Sequence, residues 1–399
     1  MRQLYLAATG QNRGKTTTSL GLMDGFIRRG LRAGFTKPVG QRTVIDEGVP
    51  ADEDAVLMRA VFELPEPYQS MSPVHIPRGF TKAYIAGEVV EDLGSRIRRA
   101  HEVFRDHDVV LIEGTGHAGV GAVIGLSNAV VAALLGAPAV IVSEGGVGRP
   151  IDEIVLNASL FERHGVPVAG AIVNKVDVAA QPGIREILER GLAPYRIPLL
   201  GVLPVRSILS NPTLGMIEEG LDGELIHPGP DLERVIDGVA IGAMEPVHML
   251  EWVGPGTLVI VPGDREDVIT TVLRAHRTAE RRGDDPRLGA PPEAAAGSPP
   301  PPLAAAQLAL GLQARPPALG LVLTGGYRPR PALAAAIREA DLFATLVSND
   351  TYAVASEIHD LLVKTHPSDR EKIEEIKQLV ASNLDVDRIL AVATEAVAA

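Results

Sequence analysis

The sequence predicts an α/β fold, in which a parallel sheet with helices on both faces is followed by a smaller α/β domain. Strand-like and helix-like segments alternate through residues 1–243, an order that is typical of parallel α/β sheets. A short apolar run at the start of the chain leads through a glycine-bearing turn into a helix-like segment. The same kinds of segment return, in a shorter set, in residues 244–399. We therefore expect two domains with a boundary near residue 243.

The strands of the first domain are predicted from short apolar runs, several of which end in a polar residue. They cover residues 4–8, 33–39, 108–114, 137–143, 168–174 and 199–204. Ligands of parallel α/β sheets bind beyond the carboxyl ends of the strands. The polar residues at these ends therefore belong to one candidate site, and they include Lys37, Glu113 and Asn174.

Residues 9–17 follow the first strand and have the pattern of a phosphate-binding loop. In such a loop, backbone N–H groups surround phosphate oxygens, and the helix N-terminus adds partial positive charge. Lys15 is expected to reach the β- and γ-phosphates, and the Thr16 hydroxyl is expected to bind Mg²⁺. The predicted nucleotide-binding residues of the loop are Thr9, Gly10, Asn12, Arg13, Gly14, Lys15, Thr16 and Thr17.

The loop departs from the standard pattern at its first position. The pattern has a glycine five residues before Gly14, where this chain has Thr9, and the glycine comes one residue later. Gly10 also stands where the dimer-sandwich ATPases of this superclass carry a second lysine, so we do not expect activation by a partner's lysine. The alternative interpretation is an ordinary strand–turn–helix unit with an exposed Lys15.

Three further residues are predicted to act on the phosphates or the metal. Glu113 ends a predicted central strand, where an acid would lie close to the Mg²⁺ held by Thr16. Asp54 is the preferred metal contact within Asp52-Glu53-Asp54, and Lys37 would neutralise a phosphate or a substrate anion. The alternative for the acids is that they only stabilise the N-terminus of a following helix. The alternative for Lys37 is a solvated lysine at the end of a strand. The predicted metal ligands are Thr16, Asp54 and Glu113, and the predicted catalytic residues are Lys15, Lys37 and Glu113.

The string Asn174-Lys175-Val176-Asp177 follows the fifth predicted strand and has the form of the base-reading signature of GTPases. If it reads a base, the Asp177 carboxylate would accept from guanine N–H groups, and the Asn174 amide would bond both base and loop. The alternative is that Asn174 alone touches the base edge while Lys175 is solvated. ATP is the predicted nucleotide, with GTP and CTP as alternatives.

Composition and charge exclude several classes of function. The net charge of −12 argues against non-specific nucleic-acid binding, which needs a basic face. The absence of cysteine excludes disulfides and Cys-ligated metal sites, and His75, His117 and His248 share no metal-binding spacing. No apolar run reaches membrane-spanning length, and no N-terminal signal is recognisable. We therefore expect a cytoplasmic protein that binds neither membrane nor nucleic acid.

The second domain is predicted from three strand-like runs, at residues 256–262, 319–326 and 342–348. Residues 283–317 are rich in proline and alanine, and we expect them to form a disordered insert. The C-terminus is predicted to be an amphipathic helix, which suits a partner or a self-interface, so we expect a homo-oligomer. Its apolar stripe consists of Ile373, Ile376, Val380 and Leu384.

Together, the motifs of the first domain resemble dethiobiotin synthetase and its relatives. The motifs that carry the resemblance are Thr9-Gly10, Gly14-Lys15-Thr16, Lys37-Pro38, Glu113-Gly114-Thr115-Gly116 and Asn174. The resemblance implies a P-loop NTPase fold for this domain. It implies that nucleotide and Mg²⁺ are bound by Lys15, Thr16, Asp54 and Glu113. Lys37 would contact a phosphate or the substrate.

The second half resembles a DRTGG domain, and the pair of domains is similar to the N-terminal region of long phosphotransacetylases. The motifs of this half are Gly201-Val202-Leu203-Pro204, Ser210-Asn211-Pro212-Thr213, Pro262-Gly263-Asp264-Arg265, Leu323-Thr324-Gly325-Gly326 and Asp350-Thr351-Tyr352. The name-giving string is altered, because Glu266-Asp267 follows Asp264-Arg265. These 399 residues leave no room for the acyltransferase domain of those enzymes, so phosphate acetyltransferase activity is not expected.

We consider three hypotheses for the function. The first is an ATP- and Mg²⁺-binding regulatory or sensory protein, linked to central metabolism, that hydrolyses ATP slowly. The second is an ATP-dependent ligase of the dethiobiotin synthetase type, which activates a carboxylate or carbamate of an unknown small metabolite. The third is a non-catalytic module in which the second domain mediates assembly.

Overall fold

The computed structural model describes residues 1–254, 256–283, 318–361 and 365–395. These residues form two compact units. The first comprises Met1–Arg206 together with the residues that follow Thr365, and the second begins at Ser207 and ends before Thr365. The second unit is therefore inserted into the sequence of the first. Among the described residues, no helix has the length and apolar character needed to cross a membrane.

The first unit is built around a six-stranded parallel sheet. The strands of this unit are β1 (Arg2–Ala8), β2 (Ala33–Thr36), β3 (Val39–Gly40), β4 (Thr43–Asp46), β5 (Val49–Asp52), β6 (Val74–His75), β7 (Val109–Glu113), β8 (Ala139–Glu144), β9 (Val168–Val176) and β10 (Leu199–Pro204). The order in the sheet is β10-β9-β8-β1-β7-β2, and all neighbours run parallel. The short strands pair separately, β3 with β6 and β4 with β5.

All six predicted strands of this sheet are confirmed. The central strands β1, β7 and β8 are buried over most or all of their length, which explains why they appear in the sequence as continuous apolar runs rather than as an alternating pattern. Because the strands are parallel, their carboxyl ends lie at one edge of the sheet. The loops that leave this edge carry the predicted site residues.

Helices flank the sheet. Those of the first unit are α1 (Lys15–Ile27), α2 (Glu53–Phe62), α3 (Tyr68–Met71), α4 (Phe80–Ile85), α5 (Leu93–His101), α6 (Asn128–Leu135), α7 (Gly148–Arg163), α8 (Ile184–Leu192), α15 (Arg370–Asn383) and α16 (Val386–Glu395). The predicted combination of a parallel sheet, flanking helices and a smaller α/β domain is confirmed.

The C-terminal helices α15 and α16 pack on α1, the helix that begins at Lys15. An added Cβ at Gly21 would lie 2.3 Å from the Cβ of Val380, so the two helices approach as closely as a glycine allows. The stripe predicted for this segment is confirmed as buried, with Val380 fully inaccessible. This apolar face is therefore used inside the first unit, and it no longer supports the expected partner surface or self-interface.

The second unit contains a five-stranded sheet. Its strands are β11 (Gly223–His227), β12 (Gly238–Ile241), β13 (Thr257–Pro262), β14 (Ala318–Thr324) and β15 (Phe343–Val347). Its helices are α9 (Ser207–Ser210), α10 (Leu214–Gly220), α11 (Pro246–Met249), α12 (Glu266–Gly283), α13 (Pro331–Glu339) and α14 (Thr351–Asp360). The order is β11-β15-β14-β13-β12, in which only β11 is antiparallel to its neighbour.

Apolar clusters cover both faces of this second sheet. Val259 and Val261 of β13 pack in one cluster with residues of α12, such as Val268. Leu258 and Ile260, which alternate with them, belong to a separate cluster with residues of α10 and α14. Successive side chains of a strand point to opposite faces, so this pattern explains why the strands of the second unit are also continuous apolar runs.

The units divide the chain elsewhere than at the predicted residue 243. β11 and β12 lie before that residue, yet they pair with β15 and β13 of the second sheet. The helices after Thr365 belong to the first unit, because they pack on α1. The predicted disordered insert 283–317 falls outside the described residues, except for Gly283 at the end of α12.

Candidate functional site

The loop between β1 and α1 has a backbone that only particular residues can adopt. Gly14 is the N-cap of α1 and has a φ of 90°, in the left-handed region. An added Cβ there would lie 1.8 Å from Nδ2 of Asn174, so glycine is required for both conformation and space. The same Asn174 amide donates a 3.2 Å hydrogen bond to the carbonyl of Arg13. The end of β9 therefore contacts the predicted phosphate loop directly.

Lys15 and Lys37 are two buried lysines near the start of α1. Lys15 is 9% exposed and Lys37 is 8% exposed. The Lys37 ammonium contacts the Asp54 carboxylate, and it lies 3.1 Å from Oδ1 of Asp52 and 3.6 Å from Oε1 of Glu113. A solvated strand-end lysine is therefore the wrong description of Lys37. It is the cation at the centre of three acidic side chains.

Asp54 links this cluster to the phosphate loop. The Thr16 hydroxyl donates a 2.9 Å hydrogen bond to Oδ1 of Asp54. Asp52 is the N-cap of α2, and its Oδ1 accepts from the backbone N–H of Asp54 at 3.1 Å. This capping stabilises the first turn of α2. Asp54 lies in that turn, where its side chain contacts Thr16 of the phosphate loop. One acid of the string caps the helix while another faces Thr16.

Glu113 is buried at the end of β7, with 1% of its surface exposed. Its Oε2 accepts a 2.6 Å hydrogen bond from the hydroxyl of Ser19, which is fully buried one turn after Lys15. Its Oε1 has no hydrogen-bond partner. Burial, reinforced by the negative charge of Asp54, raises the pKa of Glu113 to about 8.

The charges of the cluster act on one another. Burial disfavours the ionised form of Asp54, but the ammonium of Lys37 outweighs burial and holds the pKa of Asp54 below its usual range. Burial also disfavours the charged form of Lys37, whereas Asp54 and Glu113 together raise the pKa of Lys37 above its usual range. Burial lowers the pKa of Lys15, although Glu113 opposes this effect. An anion beside Lys15 would favour its charged form.

The donor set fits Mg²⁺ held jointly with phosphates. Within the described residues, no three acidic or histidine side chains are arranged to hold a metal on their own. Mg²⁺ usually takes only one or two carboxylates, together with phosphate oxygens and waters. The adjacent oxygens of Thr16 and Asp54 meet that need, and the unpartnered Oε1 of Glu113 is a third oxygen.

The remaining loop residues lie around this centre. The Thr9 hydroxyl is 3.1 Å from that of Ser143, the side chain that precedes Glu144 at the end of β8. Arg13 forms an ion pair with Glu144, and its other nitrogen lies 3.8 Å from Glu153. Gly10 and Thr17 are half-buried, whereas Asn12 is exposed. Gly10 lies next to Arg13, because an added Cβ at Gly10 would be 3.2 Å from Nε of Arg13.

The structure separates the two ends of the base-reading string. Asn174 is buried against the loop, and the Lys175 ammonium donates a 3.0 Å hydrogen bond to the carbonyl of Asn12. Asp177 is exposed, and its Oδ1 accepts from the backbone N–H of Ala180 at 2.9 Å. The sequence therefore located the contact between this string and the loop, while Asp177 lies in a local turn.

Sequence reasoning missed Ser19 and Glu144. Ser19 was hidden in a run of threonines, and its contact spans 94 residues of the chain. Glu144 ends β8, and the register of β8 and β9 sets it opposite Asn174. A polar residue at the end of every central strand is the signal that could have found Glu144.

Family comparison assigns the first unit. A family model described as an AAA domain matches residues 2–213, more than half of the 399 residues. The chain belongs to this family. The AAA domain contains the whole cluster around Lys37 and the phosphate loop. A second model, described as a DRTGG domain, matches residues 216–361, so the chain carries a P-loop NTPase-like AAA domain followed by a DRTGG domain.

Several curated relatives that match nearly the whole chain are phosphate acetyltransferases. The one from Nitratidesulfovibrio vulgaris is 25% identical over 391 residues, which cover 96% of this chain and 50% of that protein. The one from Pseudomonas putida is 28% identical over 407 residues, covering 96% and 51%. The chain spans about half the length of the curated relatives it matches. The resemblance to phosphotransacetylases noted from the motifs is confirmed.

Solved structures share only a coarse likeness with this AAA-domain protein. The MinC:MinD cell division complex of Aquifex aeolicus aligns with a TM-score of 0.34 and 13% identity, over 52% of this chain and 84% of that chain. The CBS and DRTGG domains of the Clostridium perfringens pyrophosphatase align with a TM-score of 0.26 and 14% identity, over 49% and 81%. Similarity at this level carries no conclusion about function.

Proposed function

We propose that the first unit binds a nucleoside triphosphate, with ATP as the first candidate, together with Mg²⁺. The observation that carries the proposal is the hydrogen bond between Thr16 and Asp54. It joins the start of the phosphate-loop helix to an acid that also contacts Lys37. An ordinary strand–turn–helix unit that binds no ligand would not need several buried charges in one place. Burying charges costs free energy unless they are paired.

Each residue of the cluster has a role in this proposal. Backbone N–H groups of the loop and the Lys15 ammonium would bind the β- and γ-phosphates. Thr16 and Asp54 would hold Mg²⁺, with Glu113 beside them, and the ion would neutralise phosphate charge. The role of Lys37 is electrostatic, since its ammonium balances the carboxylates around it before any ligand arrives.

We infer a regulatory rather than a biosynthetic role. The chain carries an AAA domain and a DRTGG domain, and its curated relatives are phosphate acetyltransferases about twice as long. We therefore propose that the nucleotide state of the first unit regulates an activity of central metabolism of the kind those relatives perform. Slow hydrolysis of ATP to ADP and phosphate and a cytoplasmic location remain part of this proposal. The expected homo-oligomer loses its support, because the C-terminal apolar stripe is buried inside the first unit.

Calorimetric titration of the full chain tests the binding proposal. The ligands are ATP, GTP, CTP and ADP, each with and without Mg²⁺, and the variants are Lys15→Ala and Thr16→Val. We expect Lys15→Ala to weaken binding of the triphosphates at least about tenfold, because it removes a charge-assisted contact. Thr16→Val should remove most of the dependence on Mg²⁺. Lys82→Ala, which changes an exposed lysine of α4, is the matched control.

Several outcomes would contradict the proposal. Equal affinity in wild type and Lys15→Ala, when both are folded by circular dichroism, would reject the site. The absence of binding to every nucleotide would do the same. ADP release that starts only when one small acid or amine is added would favour the ligase hypothesis instead.

A further inference from the structure

The string Asn174-Lys175-Val176-Asp177 makes contacts that the proposed nucleotide binding does not yet explain. Two of its side chains donate to backbone carbonyls of the phosphate loop. Nδ2 of Asn174 donates to the carbonyl of Arg13 at 3.2 Å, and Nζ of Lys175 donates to the carbonyl of Asn12 at 3.0 Å. Both carbonyls belong to the residues that immediately precede Gly14.

Peptide geometry turns these two contacts into a constraint on the loop. A trans peptide is planar, and its C=O and N–H groups point in opposite directions. Holding the carbonyl of Asn12 therefore fixes the direction of the N–H of Arg13, and holding the carbonyl of Arg13 fixes that of Gly14. Both N–H groups then point away from β9, on the side where a phosphate-binding loop needs its donors.

Glu144 completes the arrangement from the neighbouring strand. Its Oε1 lies 3.1 Å from Nζ of Lys175, and its other oxygen forms the ion pair with Arg13. Glu144 is paired with Asn174 in the register of β8 and β9. The Glu144 carboxylate thus pairs both with Lys175, which donates to the loop, and with Arg13, which belongs to the loop.

The backbone is bent to allow these contacts. Asn12 has a φ of 56° and Lys175 a φ of 54°, both in the left-handed region. Asparagine tolerates this conformation, whereas it is costly for lysine. Conformations of this kind persist where the surrounding contacts determine them, and they cluster at functional sites. Here the strained Lys175 is joined to Asn12 by the hydrogen bond from its ammonium.

The end of the string lies in a local turn. The Oδ1 of Asp177 accepts from the N–H of Ala180, in a turn that follows β9. The amide of Asn174 and the ammonium of Lys175 are already engaged by the loop. These contacts are compatible with a base contact as well, because the Asn174 amide and the Asp177 carboxylate each have further hydrogen-bonding positions.

We propose that Asn174, Lys175 and Glu144 form a brace that presets the phosphate loop. The three are positioning residues, since they act on the ligand through the loop backbone. The inference rests on the proposed nucleotide function for its binding test. It predicts that removing the brace weakens the binding of phosphates whatever base they carry.

The experiment compares ATP, GTP and inorganic tripolyphosphate, each with Mg²⁺, by calorimetry. The variants of the full chain are Lys175→Met, Lys175→Arg, Asp177→Ala and the control Lys82→Met. Lys175→Met should weaken all three ligands by the same factor, about tenfold, because a hydrogen bond from a charged group is lost. Lys175→Arg should recover much of this loss. Asp177→Ala, which leaves the three brace residues in place, should leave the affinity for tripolyphosphate unchanged.

Hydrogen exchange without ligand supplies a second readout, which separates the brace from the binding proposal. Faster exchange in Lys175→Met confined to the peptide that covers residues 9–18 supports the brace, even if the wild type binds no nucleotide and the proposed function fails. Unchanged exchange in that peptide, or an increase throughout the chain, overturns it. Loss of GTP binding with tripolyphosphate binding intact would also overturn it, because the string would then be a base reader.

Discussion

The hydroxyl of Ser19 donates a 2.6 Å hydrogen bond to Oε2 of Glu113, and both side chains are almost completely buried. This contact joins the phosphate-loop helix α1 to the end of the central strand β7. It also orients the carboxyl group, so that Oε1 is the oxygen left without a hydrogen-bond partner beside Lys37. The hydrogen bond from Ser19 therefore orients Glu113 so that its Oε1 faces Lys37.

Replacing Ser19 by alanine is expected to destabilise the protein by about 1–3 kcal/mol, since a buried carboxyl oxygen loses its partner. Chemical denaturation of the two proteins measures the change in the free energy of unfolding. Ser159→Ala serves as the control, because the Ser159 hydroxyl only bonds back to the carbonyl of Val155 on an exposed part of α7. We expect that control to stay within about 0.5 kcal/mol of wild type. Equal effects at the two serines would contradict the role given to Ser19.

Stability should depend on pH through Glu113. Burial raises the pKa of Glu113 from 4.5 to about 8, so between these values the folded protein holds a proton that the unfolded chain releases. The contribution of this group to stability is therefore complete below pH 4.5 and is lost as pH rises through 8. Asp54 acts in a different window, because its pKa is lowered and its contribution is lost only as pH falls below its usual range.

Glu113→Gln removes the titrating group and keeps an oxygen to accept from Ser19. The variant should gain stability relative to wild type as pH rises from 5 to 8, by at most about 1.4 kcal/mol for each pH unit. Thermal unfolding at several pH values measures this difference. A constant difference across the range would show that Glu113 is ionised throughout.

Much of the fold could be predicted from the sequence, because its signals are local. The strands of the first sheet are buried apolar runs, and the Gly-Lys-Thr string at residues 14–16 stands directly between a strand and a helix. The side chains at the strand ends, such as Lys37 and Glu113, could be predicted to meet because parallel strands end at one edge. The structure brings them together with Asp54.

The remainder depends on contacts between distant parts of the chain. Nothing near residue 380 indicates that Val380 packs on Gly21, or that the chain returns to the first unit after completing the second. Likewise, the residues of β11 and β12 lie before the boundary predicted near residue 243, and the sequence does not predict them as strands. Their membership in the second sheet is decided by pairing with β15 and β13, which local patterns do not encode.

Gly21→Ala should destabilise the protein by about 1–3 kcal/mol, because the new methyl group would lie 2.3 Å from Val380 and force α1 and α15 apart. The matched control is Gly148→Ala in α7, where an added Cβ meets nothing within 4 Å. That change should be neutral or stabilising by up to about 1 kcal/mol, since alanine favours the helix. The measurement is thermal unfolding followed by circular dichroism. Equal behaviour of the two variants would mean that α15 does not pack tightly on α1.

Lys37→Met is expected to have the largest effect on stability. The ammonium of Lys37 is the shared cation of Asp52, Asp54 and Glu113, and removing one partner of a buried charge cluster costs about 3–5 kcal/mol. Denaturant unfolding measures the loss, and Lys82→Met controls for removal of a lysine as such. If Lys37→Met is too unstable to purify, a lower yield of soluble protein than that of Lys82→Met shows that the substitution destabilises the fold.

A second substitution decides whether the loss comes from the unpaired carboxylates. Asp54→Asn in the Lys37→Met background removes one of the negative charges that Lys37 had balanced, so the double variant should be more stable than Lys37→Met alone. A double-mutant cycle then gives the coupling energy of the pair, and we expect about 0.5–3 kcal/mol for residues in direct contact. If the two losses simply add, the lysine stabilises the fold by packing its aliphatic stem, and the electrostatic account of the cluster is wrong.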